Sequence, residues 1–345
     1  MKSIRARLPK SIIALGAMSI ATMSGAANAG NMQLFGLLDT YVASFKPSGA
    51  AKSVVQLDNG GETTPFWGIA GDEDLGGGFR SIFALESYFK VDTGGVGRNA
   101  TDTFFGRAAY VGFSSDDYGA LRFGRNSTPM FYIIGQFDPF AASTKLSPLT
   151  IQTYSPSFGR LIHGDTGWSN SARYLSPTFG GVSVQLMYGL GEAATNNGTN
   201  NAGAIVRFQR SSFNVALGAQ QVKVGPAVTA AEPSQKTFFA GASYDFKVTK
   251  VFGTYVQTRN DGTDLRTHTY QVGASTPIGA GKLNASYVWT KNDQRVAADF
   301  RRATAAVGYS YFLSKRTDVY ANYLYDKLSN AGTGNTFGVG MRHKF

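Results

Sequence analysis

The sequence predicts an all-β fold, a sixteen-stranded antiparallel transmembrane β-barrel. Three observations point there. Hydrophobicity alternates with a period of two through most of the chain, short and long connections alternate between the alternating segments, and the N-terminus has the make-up of an export signal.

The N-terminal segment comes first. Lys2, Arg5, Arg7 and Lys10 form a basic start, Ile12 to Met23 supply an apolar stretch, and Ala27-Asn28-Ala29 is an A-x-A cleavage site. Residues 1–29 are therefore expected to be a signal peptide and residues 30–345 the barrel, beginning near Gly30. Removing 1–29 leaves 316 residues, takes away four positive charges and no acids, and lowers the net charge from +11 to +7.

The barrel segment has no run of about 18 apolar residues, so no transmembrane helix is expected. Glycine is 42 of 345 residues and aromatics are 13%, a composition that fits an apolar outer surface diluted by a polar lumen. Cysteine is absent and there are only three histidines, which excludes disulfides and the usual zinc sites. Export, and the lack of any run of clustered Lys/Arg, argue against nucleic acid as a partner.

Sixteen strands are expected at 32–45, 63–71, 78–90, 104–114, 119–125, 167–176, 181–190, 202–209, 212–223, 236–247, 249–259, 266–276, 280–291, 300–312, 316–328 and 334–345. The alternation is clearest late in the chain. Leu283, Ala285, Tyr287 and Trp289 alternate with Asn284, Ser286, Val288 and Thr290, and Phe238, Ala240, Ala242 and Tyr244 with Phe239, Gly241, Ser243 and Asp245. Tight turns at 72–77, 115–118, 177–180, 210–211, 248, 277–279 and 313–315 alternate with longer loops, a meander that closes without free edges. An even strand count puts both termini on the periplasmic side.

One connection stands apart. Residues 126–166 show no clear period, and contain Pro129, Pro139, Pro148 and Pro156, several aromatics and few charges. A loop this long inside a compact domain has a function of its own, and its composition suits folding inward onto the barrel wall.

Several segments resemble a known family. Trp67-Gly68-Ile69-Ala70-Gly71-Asp72-Glu73-Asp74-Leu75-Gly76-Gly77-Gly78 is similar to the W-G-x-x-G-x-E-D-L-G-G-G signature of general trimeric porins of beta-proteobacterial type. Phe79 to Ser87, Phe105 to Gly112, Asn170 to Tyr174, Leu313 to Asp318 and the terminal Arg342-His343-Lys344-Phe345 extend the match across the barrel segment. The resemblance implies a homotrimer with its third loop, here 126–166, folded inward as a constriction. It implies passive diffusion of ions and small hydrophilic solutes, and Phe345 as the recognition element for the barrel-assembly machinery. Outer-membrane lipid and lipopolysaccharide are the expected surroundings.

Parity then assigns faces. A charge on the lipid face near the midplane costs about 2–4 kcal/mol, so strand arginines should point inward. Arg80, Glu86, Arg107, Arg122 and Arg173 are expected to line the lumen, with Arg342 beside them and Asp138 in the loop as an opposing acid. In the family a basic ladder on one wall faces acids on the inward loop, and Arg107 and Arg173 match ladder positions. Phe66 stands where the family is often basic, and the loop is acid-poor, with Asp138 and Asp165 against Lys145 and Arg160. A modest anion preference is the expectation. Asp72, Glu73 and Asp74 read as turn acids, not as a metal site, and no cofactor is implied. His163, His268 and His343 sit in no nucleophile motif, so no catalytic residue is expected. The alternative is a substrate-specific channel with lumen aromatics such as Tyr88, Tyr132, Phe137 and Tyr154.

Overall fold

The computed structural model describes residues 31–156, 160–192, 199–293 and 300–345. The expected signal peptide over 1–29, the start at Gly30, and parts of three expected loops lie outside the described residues.

The chain forms one closed antiparallel sheet. In order the strands are β1 (Asn31–Lys46), β2 (Val54–Asn59), β3 (Phe66–Gly76), β4 (Phe79–Tyr88), β5 (Ala108–Ser115) and β6 (Gly119–Ser127). After two helices come β7 (Gly167–Leu175), β8 (Val182–Gly189), β9 (Asn201–Arg210), β10 (Phe213–Val222), β11 (Gln235–Asp245) and β12 (Lys250–Asn260). The last are β13 (Arg266–Ile278), β14 (Gly281–Asp293), β15 (Phe300–Phe312), β16 (Thr317–Leu328) and β17 (Gly332–Lys344). From β3 onward each strand pairs with the next. Closure is made by β1 against β17, from Leu37↔Lys344 to Lys46↔Asn335. Phe345 continues this seam, its N–H donating to the Gly36 carbonyl and its carbonyl accepting from the Gly36 N–H, each at 3.1 Å.

Seventeen described strands make sixteen staves. β3 and β2 pair in succession with the other edge of β1, Asn31↔Asp72 to Leu37↔Phe66 and then Thr40↔Asn59 to Phe45↔Val54. Between them the return strand leaves the wall, because Asp39 captures it. The Asp39 carboxylate accepts from the Glu62 and Thr63 N–H groups at 2.9 and 2.7 Å. The excursion carries Glu62 inward. β2 lies within a stretch expected to be a plain loop.

Burial alternates as the pattern requires. Along β16, Asp318, Tyr320, Asn322, Leu324 and Asp326 are buried, and the residues between them, from Val319 to Tyr325, are exposed. The exposed face is apolar and therefore lipid-facing, and the buried face is largely polar. Aromatics collect near the short turns, with Phe79 stacked on Tyr118 at 5.8 Å and Tyr244 against Phe246 at 4.6 Å. Rings at this level anchor a barrel at the membrane interface. The first of those turns depends on glycine: Gly76, Gly77 and Gly78 all have positive φ, of 79, 61 and 81°. No helix among the described residues is long and apolar enough to cross a membrane; the strands do so.

Residues 126–166 do not form the irregular loop expected from their lack of period. They hold α1 (Pro129–Gln136) and α2 (Pro148–Tyr154). Each helix begins with proline at its first position and is capped from the residue before. Thr128 Oγ1 accepts from the Phe131 N–H at 3.2 Å, and Ser147 Oγ from the Thr150 N–H at 3.0 Å.

Candidate pore constriction

The helical loop is held inside the barrel by an apolar patch on an otherwise polar wall. Met130, Ile133, Ile134 and Phe137 of α1 and its end, with Leu149 and Tyr154 of α2, pack on Ile205, Ala216, Phe239, Val256 and Val288. Those wall residues come from β9, β10, β11, β12 and β14. Phe239 and Val288 occupy the inward parity, where small or polar residues are the rule, so an inward-facing bulky residue marks where the loop docks.

Hydrogen bonds fix the docking. Gln152 donates to Thr304 Oγ1 at 2.7 Å and accepts from Thr290 Oγ1 at 2.5 Å. Gln235 accepts from the His163 N–H at 2.8 Å and donates to the Leu161 carbonyl at 2.9 Å. The loop then reaches the opposite side. Ser143 Oγ donates to the Gly61 carbonyl at 2.6 Å, and Lys145 Nζ meets Asp58 at 2.7 Å. The loop thus crosses the lumen, leaving the inner faces of β3–β8 as the remaining wall of the channel.

That wall carries the arginines. Arg122 and Arg173 are direct cross-strand partners on β6 and β7. Arg122 lies 4.6 Å over the Tyr110 ring. Arg173 donates to the Ser127 carbonyl at 2.9 Å and to Gln185 Oε1 at 2.7 Å, and lies 5.7 Å from the Tyr132 ring of α1. Arg207, two strands on, donates to Asn214 Oδ1 at 2.8 Å. Among the described residues none of these three meets a carboxylate. Arg207 was not among the expected lumen residues, although its parity within β9, two residues from buried Ile205, would have placed it there.

The remaining expected residues fall elsewhere. Arg107 sits just before β5, not within it. Its guanidinium is ion-paired with Glu86 and lies 3.8 Å over the Phe66 ring. Arg80 is exposed at the turn end of β4, at the mouth and away from the loop. Arg342 is bound to Asp318 at 3.1 Å and to Glu62 at 3.2 Å, and Arg302 to Asp326 at 2.7 Å. Asp138 does not face the water path as an opposing acid. It is 4% exposed, accepts from the Phe140 and Ala142 N–H groups and from Gln271, each at 3.2 Å, and burial pushes its carboxyl up. Its hydrogen bonds hold the turn after α1, and its charge is turned away from solute.

Outside the loop lies a vestibule of about 1550 Å³. At its rim Arg98 contacts Asp102 at 2.7 Å and Asp165 at 2.9 Å, and Arg125 contacts Asp165 at 2.6 Å. Burial pushes the Asp165 carboxyl up, but Arg98 and Arg125 outweigh it and hold it below the usual carboxylate range. This cluster bolts the 89–107 connection between β4 and β5 to the base of the helical loop. Nearby, His163 lies 3.3 Å from Glu232, and burial holds its imidazole below its ordinary value despite that carboxylate.

A family model described as Gram-negative porin matches residues 14–331. Outer membrane porin protein 32 of Delftia acidovorans is 32% identical over 94% of this chain and 92% of its own. An outer membrane porin protein of Bordetella pertussis is 28% identical over 96% of this chain and 99% of its own. The structure of an anion-selective porin from Comamonas acidovorans superposes with a TM-score of 0.78 at 27% identity, covering 92% of this chain and all of that one. A closed sixteen-stave barrel with lipid outside, a polar interior and a loop across its lumen is a passive channel of the outer membrane, and the chain belongs to the Gram-negative porin family.

Proposed function

We propose that the channel passes small hydrophilic solutes and ions with a preference for anions, as a homotrimer. The observation that carries the preference is the pairing pattern. Lumen carboxylates Glu86, Glu62, Asp318 and Asp326 are each ion-paired and Asp39 and Asp138 are buried among neutral hydrogen-bond donors, whereas Arg122, Arg173 and Arg207 have only neutral partners among the described residues, and Arg122 and Arg207 are only half-buried. Fixed cations in a narrow, partly desolvated passage favour anions and repel cations. The similar porin from Comamonas acidovorans, itself described as anion-selective, supports the same reading.

Planar-bilayer recording tests both parts. In a salt gradient the reversal potential should have the sign of anion selectivity, and closure should come in threes. Cation selectivity, or single-step closure, overturns the corresponding part. Phe345 is proposed as the recognition residue for barrel assembly; it is 38% exposed at the end of the seam. The substrate-specific alternative has less behind it, because Tyr88, Phe137 and Tyr154 are buried and only Tyr132 of the four aromatics is half-buried, with the Arg173 guanidinium 5.7 Å from its ring.

A further inference from the structure

The connection from β10 to β11, residues 223–234, bends into the vestibule and lies along the return limb of the helical loop, residues 160–166. Asn201, buried at the start of β9, makes the bend. Its Oδ1 accepts from the Lys223 and Val224 N–H groups at 2.8 and 3.0 Å, and its Nδ2 donates to the Val224 carbonyl at 2.9 Å. The two backbones then touch. The Gly164 N–H donates to the Pro226 carbonyl at 2.8 Å, and a Cβ on Gly225 would come within 3.2 Å of the Gly164 Cα. Both glycines have positive φ, 84° at Gly164 and 131° at Gly225, so this approach is open to glycine and to little else. Val228 packs on Trp168, Met187 and Val222 beside the contact.

Glu232 makes the second contact. Its carboxylate lies 3.3 Å from His163 Nε2 and accepts from Thr263 Oγ1 at 2.7 Å. Asn260 Nδ2 lies 3.4 Å from the same ring nitrogen. His163 Nδ1 is buried with no hydrogen-bond partner among the described residues. A doubly protonated ring donates from both nitrogens, and this pocket offers an acceptor at one of them. Glu232 draws the second proton onto the ring, and Arg160, on the limb itself, repels it. The other acids at hand are engaged, Asp165 by Arg98 and Arg125 and Asp261 by Ser234. From Val224 to Ala231 the connection has no ionisable side chain.

We propose that residues 223–234 are a clasp on the constriction loop, with Asn201 and Glu232 as its positioning residues, and that protonation of His163 opens it. The clasp shares the root of the loop with the Asp165 cluster. Opening it frees one side of the root and leaves the other bolted, so the constriction fluctuates about its open width and does not collapse.

The test is single-channel recording of the full barrel in planar bilayers between pH 7 and 5, reading open-channel noise, with a heat-resistant band on electrophoresis to show that each variant is folded. Wild-type noise should rise several-fold on acidification. A chain in which two glycines replace Pro226 to Ala231 should show the wild type's pH 5 noise already at pH 7, with no further rise. N201A, whose lost bonds do not titrate, should be noisier at every pH with an unchanged midpoint. E232Q keeps the shape of the side chain and removes the charge that favours the second proton. Its noise at pH 7 should match the wild type, and its rise should move to lower pH, which a purely structural loss would not produce. A wild type indifferent to pH, a shortened clasp that still responds, an N201A channel as quiet as the wild type, or an E232Q midpoint that stays or moves up each overturns the proposal.

Discussion

The proposed selectivity rests on which charges lack an opposite. Glu86 silences Arg107, whereas Arg122 and Arg173 stand together with neutral partners. R122Q and R173Q should each lower the anion-to-cation permeability ratio by about five-fold, the Boltzmann equivalent of ~1 kcal/mol for a charge in water. E86Q should raise it by freeing Arg107. Reversal potentials measure all three, and an unchanged ratio in R122Q/R173Q contradicts the assignment. His163 makes a second residue-scale prediction. Its folded value is depressed by burial, so the neutral ring supports the loop fully above the ordinary histidine value of about 6.5 and progressively less as pH falls below it. Acidifying from pH 7 to 5 should increase channel noise, and H163Q should flatten that response. The Asp165 cluster runs lower. Its depressed carboxyl keeps that brace intact above the ordinary aspartate value of about 4 and releases it only as pH falls further.

At the scale of elements, strands were legible and helices were not. A period of two is written into every stave because one face meets lipid and the other water, and β15 spans Phe300–Phe312, the range expected from alternation alone. α1 and α2 lacked a readable stripe because they are packed on nearly every side, so no polar face alternates with an apolar one. Their signals are nevertheless present: Thr128-Pro129 and Ser147-Pro148 are cap and first-turn pairs, with proline in the first turn of each helix. Arg107 was placed in a strand because its neighbours alternate; it lies one residue outside. Asp138 looked like a pore acid because sequence carries no sign of burial within a turn. Docking of the loop on Phe239 can be measured. Phe239→Ala should cost about 3–5 kcal/mol of local stability and speed amide exchange across 129–137, leaving the β-ladders protected. Uniform protection in the variant would show that the hydrogen bonds of Gln152 and Gln235 suffice.

For the whole molecule, the decisive contact joins the two ends of the chain. β1 and β17 are nearly three hundred residues apart in sequence and share one ladder. Contacts so distant form late, since the intervening chain must be ordered first. A chain lacking 332–345 would present unpaired backbone on both β1 and β16, which lipid cannot satisfy. It should show no heat-resistant band on electrophoresis and no conductance, and a folded, conducting truncation would refute the closed-ladder account.

The link from the helical loop to the far wall, through Ser143 to Gly61 and Lys145 to Asp58, turns a hoop into a spoked wheel. An empty hoop ovalises when squeezed from the side; one with a spoke transmits the squeeze across its diameter. Lateral pressure in a crowded bilayer therefore bears on the eyelet through a short strut, and the bore keeps its shape while the surrounding lipid changes thickness.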